Sequence, residues 1–173
     1  MIRFLEYRHS DHAHLRRGLV ELFQDAIASG ASMGYWHPLS DSTAQEFWDA
    51  TVADVEAGRR LLVVAVDEVE NVLGAAQLSL SERQNGANRS ELQKLMVHRN
   101  TRGQGVGKGL MHEIETIARQ RGRKLIVLDT AKGSLAEGMY ERLGYQRVGV
   151  IPLYTVEVDG SQCDTVIFYK ALT

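Results

Sequence analysis

Cysteine is almost absent. Cys163 stands alone, so no intrachain disulfide can staple the fold, and a reducing compartment, the cytoplasm, is the expected setting. Charge of one sign is missing too: 20 basic residues face 22 acidic ones, for a formal net charge of −2, which gives no broad electrostatic reason to expect nucleic acid. No apolar segment reads as a signal or a membrane span, so no membrane association is expected. The chain also lacks internal repeats, linkers and low-complexity tracts. Residues 1–173 are therefore expected to form one domain, of a size able to bury roughly two-thirds of its unfolded surface. Metal-ligand spacing is missing as well: His12 and His14 are two residues apart, whereas ligands on one helix face are three or four apart, and no metal is expected.

What the chain does contain is a glycine-rich run, Arg102-Gly103-Gln104-Gly105-Val106-Gly107-Lys108, that passes directly into a helical pattern. Val106, Leu110, Ile114, Ile117 and Ala118 recur at spacings of three and four, so one stripe of this helix faces a core. Leu92 to Val97 before it and Lys124 to Thr130 after it read as strands. Strand, glycine loop, helix and strand make a right-handed βαβ unit, with the loop at the carboxyl end of its first strand, where open α/β sheets bind ligands. Glycines allow close backbone approach and the helix start leaves N–H donors free, so the run suits a pyrophosphate. Two better-known phosphate loops do not fit. A P-loop would need glycine where Arg102 stands and Ser or Thr where Gly109 stands, and the dinucleotide fingerprint fails at Lys108 or Leu110.

Arg102, Gly105 and Gly107 match the R/Q-x-x-G-x-G/A signature of the GNAT superfamily of acyltransferases, and Met139-Tyr140-Glu141-Arg142-Leu143-Gly144-Tyr145 resembles its aromatic-Tyr-x-x-x-Gly-aromatic segment. The resemblance covers roughly the C-terminal half of the chain. It implies an α/β GNAT (acyl-CoA N-acyltransferase) fold, a mixed central sheet of about seven strands flanked by about four helices. It also implies acetyl-CoA as co-substrate, direct acetyl transfer to an amine or hydroxyl, and a homodimer as one assembly state. By the same resemblance Gly103, Gln104, Gly105, Val106, Gly107 and Lys108, with Arg102, cradle the pyrophosphate, while the backbone of Leu95, Met96 and Val97 pairs with the pantetheine arm. Many members carry asparagine where this chain has Gly133, and Ser134 is the candidate replacement for that cofactor contact.

In chain order, Ile2 to Arg8 reads as a strand, followed by a helix carrying Leu15, Leu19, Leu22, Phe23, Ala26 and Ile27, capped by Ser10 or Asp11 and ended by Gly30. An aromatic loop with Tyr35, Trp36, His37 and Pro38 precedes a second helix capped by Ser40, Asp41 or Ser42. Tyr35, Trp36 and His37 are the candidate acceptor-pocket residues, although packing under the loop explains His37 equally well. Leu61 to Val66 and Val72 to Leu80 read as a hairpin, and the polar segment Ser81 to Ser90 as a loop bordering the acceptor site. Ser134 to Leu143 reads as a short helix, with strands at Tyr145 to Val150 and Thr165 to Tyr169.

Acetyl transfer needs an acid for the departing thiolate and a base for the acceptor. Tyr140 is the acid that the resemblance implies, since a phenol with a pKa near ~10 keeps its proton at neutral pH. Packing in the core is its other reading. Glu91 and Asp129, at the ends of the two strands of the βαβ unit, are the candidate bases. Each has a plainer reading, as a solvated strand-end charge and as a cap or turn residue. The apolar run before Asp129 predicts partial burial and hence a raised pKa. Cys163 has no evident partner base, so a covalent acyl-enzyme is not expected.

Within the superfamily, Asn88 to Val97, Leu128-Asp129-Thr130 and Gly133-Ser134 with Ala136-Glu137 are similar to the tabtoxin-resistance group of acetyltransferases, as are Ala76 to Leu80 and Gly30-Ala31-Ser32. That likeness implies a small acceptor of the β-lactam amino acid kind, a role in toxin resistance, and Glu91 and Asp129 as bases. Acetylation of a protein or peptide amine, and acetyl-CoA sensing without catalysis, are the alternatives.

Overall fold

The computed structural model describes residues 1–8 and 12–172, apart from the side chain of His12; the expected helix caps Ser10 and Asp11 lie outside the described residues. The strands are β1 (Arg3–Glu6), β2 (Arg60–Val66), β3 (Val72–Leu80), β4 (Arg89–Val97), β5 (Leu125–Ala131), β6 (Gln146–Val156) and β7 (Gln162–Ala171). They form one sheet in the order β1-β2-β3-β4-β5-β7-β6. Only β4 and β5 pair in parallel; the other neighbours are antiparallel. The helices are α1 (His12–Ala28), α2 (Asp41–Glu56), α3 (Val106–Gln120) and α4 (Leu135–Arg142). This is the expected mixed GNAT sheet. None of these helices is long and apolar enough to cross a membrane.

Each face of the sheet carries its own core, because β2 is buried on both sides and its residues alternate between them. Leu61, Val63 and Ala65 pack with Leu110, Ile114 and Ile117 of α3, whereas Leu62, Val64 and Val66 pack with Leu19, Phe23 and Trp48 of α1 and α2. Trp48 is fully buried, and its indole N–H donates to the Leu19 carbonyl at 2.8 Å, so the largest core side chain leaves no polar atom unpaired. Local sequence sets the helix ends. Ser40 caps α2 through its hydroxyl, and Gly30, at φ +81°, closes α1 with bonds from its own N–H to Ile27 and from the Ala31 N–H to Ala26.

Beneath α3 the sheet requires a glycine for a steric reason. A Cβ on Gly74 would lie 2.7 Å from the Met96 carbonyl oxygen and about 3 Å from Leu110 and Val106. Without it α3 could not seat this closely on β3.

The edge at β6 departs most from sequence expectation. The strand runs on from Gln146 through Pro152 to Val156 rather than stopping near Val150. Proline is tolerated at a sheet edge, and a bulge between Ile151 and Thr155, with Leu153 at φ +57°, absorbs the irregularity.

Gly74→Ala is expected to destabilise the fold by about 1–3 kcal/mol, the usual cost of overpacking. Chemical denaturation followed by circular dichroism checks this, and an unchanged midpoint would contradict the packing described.

Candidate active site at the parting of two strands

Strands β4 and β5 are paired only at Arg89–Leu125, Ser90–Ile126 and Glu91–Val127, and then separate. A bulge on β4 marks the separation: Ala75 faces Met96 and Gln77 faces Gln93, so Lys94 and Leu95 together oppose one residue of β3. Lys94 sits at the bulge with a left-handed φ of +51°, unusual for a lysine. From Leu92 to Val97 the β5-facing edge of β4 has no strand partner among the described residues. A cleft of about 800 Å³ occupies the gap, reached by Glu91, Lys94, Asp129, Ser134, Tyr140 and Thr165.

The cleft passes through the sheet. On the α3 side, Tyr140 projects from α4, its ring 5.6 Å from that of Tyr145 and 6.2 Å from that of Phe168. Burial pushes its phenol pKa well above the ordinary value, and the charge of Asp129 pushes it further. On the α1/α2 side, Glu91 accepts a hydrogen bond from Gln93 Nε2 at 3.3 Å, and Lys94 Nζ donates to the Met33 carbonyl at 2.6 Å. Asp129 accepts from Thr165 Oγ1 at 2.8 Å. The burial expected of Asp129 is absent. It is exposed, because the apolar run ends at Leu128, so desolvation gives no reason to single it out as a base.

At the carboxyl end of β4 the glycine run forms the turn into α3. Gly103 and Gly105 have φ of +78° and +84°, and a Cβ on either would enter open space. Gly107 differs: it lies inside α3, where a Cβ would meet Met139 and Val97, so its smallness serves packing. The first helical bond is donated by Gly109 to Gly105, and no protein acceptor among the described residues takes the N–H groups of Val106, Gly107 and Lys108. Free donors at a helix start, open space over two left-handed glycines and an unpaired strand edge fit an extended acyl-CoA. The Arg102 side chain turns back, with Nε donating to the Val97 carbonyl at 3.2 Å.

Asp25 of α1 secures the segment before this loop. Its carboxylate accepts from the Arg99 backbone N–H at 2.9 Å and from Arg99 Nε, with His98 at 3.9 Å. Burial alone would raise the Asp25 pKa, but the Arg99 hydrogen bonds and the His98 and Arg99 charges outweigh it and hold the carboxyl below the ordinary range.

Several expected site residues are placed differently. Ser134 lines the cleft, but its hydroxyl caps α4 by accepting from the Glu137 N–H, while Glu137 accepts in return from the Gly133 N–H at 2.7 Å. Gly133 has φ +79°, a conformation that glycine tolerates best. Tyr35, Trp36 and His37 do not line the cleft; the preceding Gly30 to Gly34 does. Tyr35 packs edge-on against Phe23, Trp36 Nε1 donates to the Val156 carbonyl at 3.3 Å, and His37 is exposed. The 81–88 segment lies at the far end of β4, where Arg123 donates to the Ser81 and Ala87 carbonyls, and does not border the cleft. Lys94 and Tyr154 are not among the expected site residues; bulges bring both to the cleft, the first with no sequence signature and the second signalled by Pro152 alone.

The family model described as "Acetyltransferase (GNAT) family" matches residues 19–145. The chain belongs to the GNAT acetyltransferase family. The family is one of acyltransferases whose donor is acetyl-CoA. Human N-acetyltransferase 8B is 39% identical over 62 residues, which cover 35% of this chain and 27% of that protein; the match thus spans about a quarter of the curated relative's length. Three solved structures carry the same fold. A ribosomal-protein-alanine N-acetyltransferase from Brucella melitensis has a TM-score of 0.79 at 21% identity, covering 99% of both chains. A candidate phosphinothricin N-acetyltransferase has the same score and identity, covering 100% of this chain and 99% of its own. A candidate acetyltransferase from Salmonella typhimurium, solved with its cofactor acetyl-CoA, scores 0.78 at 18% identity, covering 100% and 95%. A protein acceptor and a small-molecule acceptor are thus named on equally similar frames.

Gly105→Ala is expected to weaken acetyl-CoA binding about fivefold or more, because a left-handed alanine costs about 1 kcal/mol and its Cβ enters the open space over the loop. Calorimetric titration checks this, and an unchanged Kd would remove the loop from the donor site. The tether of Asp25 contributes fully above the ordinary aspartate pKa and is lost as pH falls through its depressed value. Asp25→Asn is therefore expected to flatten the acid limb of the stability–pH curve, and an unaltered limb would contradict that assignment.

Proposed function

We propose that this domain transfers the acetyl group of acetyl-CoA directly to an amine or hydroxyl of a small molecule, of the amino-acid type that includes tabtoxin-like β-lactam amino acids. The observation that carries the reading is the cleft through the parted strands, with a buried phenol on one side and two carboxylates at its mouth. Neither Glu91 nor Asp129 has a cationic partner within 4 Å among the described residues, so both are free to receive an acceptor's ammonium or its proton.

Bound acetyl-CoA supplies an activated acyl group and a thiolate leaving group. The free N–H groups at the start of α3 and the unpaired edge of β4 hold it. Leu95, Met96 and Val97 serve as that edge, and Gly103 to Lys108 as the phosphate cradle with Arg102 beside it. Glu91 or Asp129, directly or through water, takes a proton from the acceptor nitrogen as it attacks. Tyr140 hands its phenolic proton to the departing sulfur, and its raised pKa keeps that proton in place across the neutral range. Cleft volume favours a compact acceptor, and the near-matching segments of the tabtoxin-resistance group support the same class. A single free cysteine and the absence of a disulfide suit the cytoplasm. The long outer edge of β6, with Val148, Leu153 and Tyr154 exposed, suits pairing with a second copy.

Tyr140→Phe is expected to lower kcat about a hundredfold or more while leaving acetyl-CoA affinity intact. Burial raises the phenol pKa, so the wild-type kcat profile should show no alkaline fall below about pH 10. Thiol release from acetyl-CoA across a panel of amines, amino acids and peptides reads both. Near-normal turnover in the variant would return Tyr140 to a packing role.

A further inference from the structure

Lys94 is a cationic group of the cleft that the acetyl-transfer steps leave unused and that no carboxylate neutralises among the described residues. The bulge turns it to the α1/α2 side together with Gln93, so its ammonium meets the Gly30 to Gly34 segment rather than the α3 core. There, among the described residues, its hydrogen-bond partner is the neutral Met33 carbonyl at 2.6 Å, and a Cβ on Gly34 would come within 4.0 Å of Nζ. No carboxylate lies within 4 Å of Nζ among the described residues, although four acidic residues, Glu91, Asp129, Glu157 and Asp164, line the same cleft. The other lysine of the cleft, Lys132, is paired with Asp164 at 3.3 Å.

The electrostatics favour an anion beside Lys94. Burial pushes its pKa below the ordinary value, and the nearby Arg60 adds to that while Asp129 opposes it. Arg60 is itself anchored by Asp54 at 3.2 Å and by Gln77 and Gln93. A partly desolvated ammonium with only a neutral acceptor gains more from a carboxylate than a solvated one would. Its backbone is held in a left-handed conformation costly for lysine, and such strain clusters where a side chain is aimed for use.

From this juxtaposition we infer that Lys94 is the specificity-determining contact for the acceptor, binding a carboxylate of an amino-acid-like substrate so that its amine is delivered to Glu91 and Asp129. The inference rests on the small-molecule reading above and narrows it: the acceptor is a zwitterion, with its carboxylate on the lysine and its amine on the acidic side of the cleft. Lys94 acts in binding and orientation, and the proton transfers remain with the carboxylates and Tyr140.

The test uses matched acceptors, α-amino acids and the amines left when their carboxylate is removed (phenylalanine with phenethylamine, tryptophan with tryptamine, methionine with 3-methylthiopropylamine), together with short peptides. Thiol release is measured for wild type, Lys94→Gln and Lys94→Arg. Glutamine keeps a donor for the Met33 carbonyl and loses the charge; arginine keeps the charge. The inference predicts that wild type prefers the amino acids, and that Lys94→Gln raises their KM about tenfold or more while the KM of acetyl-CoA stays put. It also predicts that Lys94→Arg recovers part of the loss and that the carboxylate-free amines are insensitive to the charge. Equal loss on both members of each pair, with no rescue by arginine, would make Lys94 a loop clamp and overturn the inference while leaving a small-molecule acetyltransferase. Acetylation of peptides alone would overturn the small-molecule reading and this inference with it.

Discussion

The parting of β4 from β5 after Glu91 and Val127 is the constraint on which the rest of the site depends. Parallel pairing normally continues to the ends of both strands, since every lost ladder bond leaves a donor or acceptor to satisfy. Here the bulge at Lys94 and Leu95 interrupts β4 just past the paired region, and β5 keeps its full ladder on the β7 side through Ala131. The sheet thus holds together while one seam stays open. Everything assigned a chemical role stands along that seam or at its end: Glu91 and Asp129 at its mouth, Tyr140 on one face, Lys94 on the other, and the glycine loop where β4 runs into α3.

An open seam is useful only if its walls are rigid, and the two cores provide this. Leu110 and Ile114 of α3 hold one face of β2 and β3, while Trp48 and Phe23 hold the other. The glycine loop is held at both ends, by Gly74 making room for α3 and by Asp25 gripping Arg99. Its donors therefore reach solvent already oriented, which reduces the ordering that ligand binding would otherwise require.

Much of this was legible in the sequence, and the reasons differ by element. The hydrophobic period of α3, the apolar run of β5 and the three-residue spacing around Gly105 depend on local chemistry, and the structure places them as read. The expected and observed ends of β3 coincide. The bulges are hard to read, because Lys94 and Leu153 are ordinary residues set at positive φ by register shifts against the neighbouring strands β3 and β7, with Pro152 the local sign of the second. For that reason the sequence pattern gives no sign of Lys94 or Tyr154 at the cleft and ends β6 too early. The aromatic loop misled for a related reason. Tyr35 and Trp36 carry chemistry suited to a pocket, but α1 ends so that Gly30 to Gly34 reaches the cleft first, leaving the aromatics to pack against Phe23 and the Val156 carbonyl. Asp129 likewise ends an apolar run without sharing its burial.

On the proposed reading, acetyl-CoA completes the open seam by lying along β4 and on the start of α3. Amide hydrogen exchange of the whole protein with and without acetyl-CoA tests it most directly. Acetyl-CoA is expected to bring new protection confined to residues 92–97 and 103–108 with the adjoining start of α4, and none in the 81–88 loop at the other end of β4. Protection that spares 92–97, or that centres on 81–88, would place the donor elsewhere and rule this binding mode out.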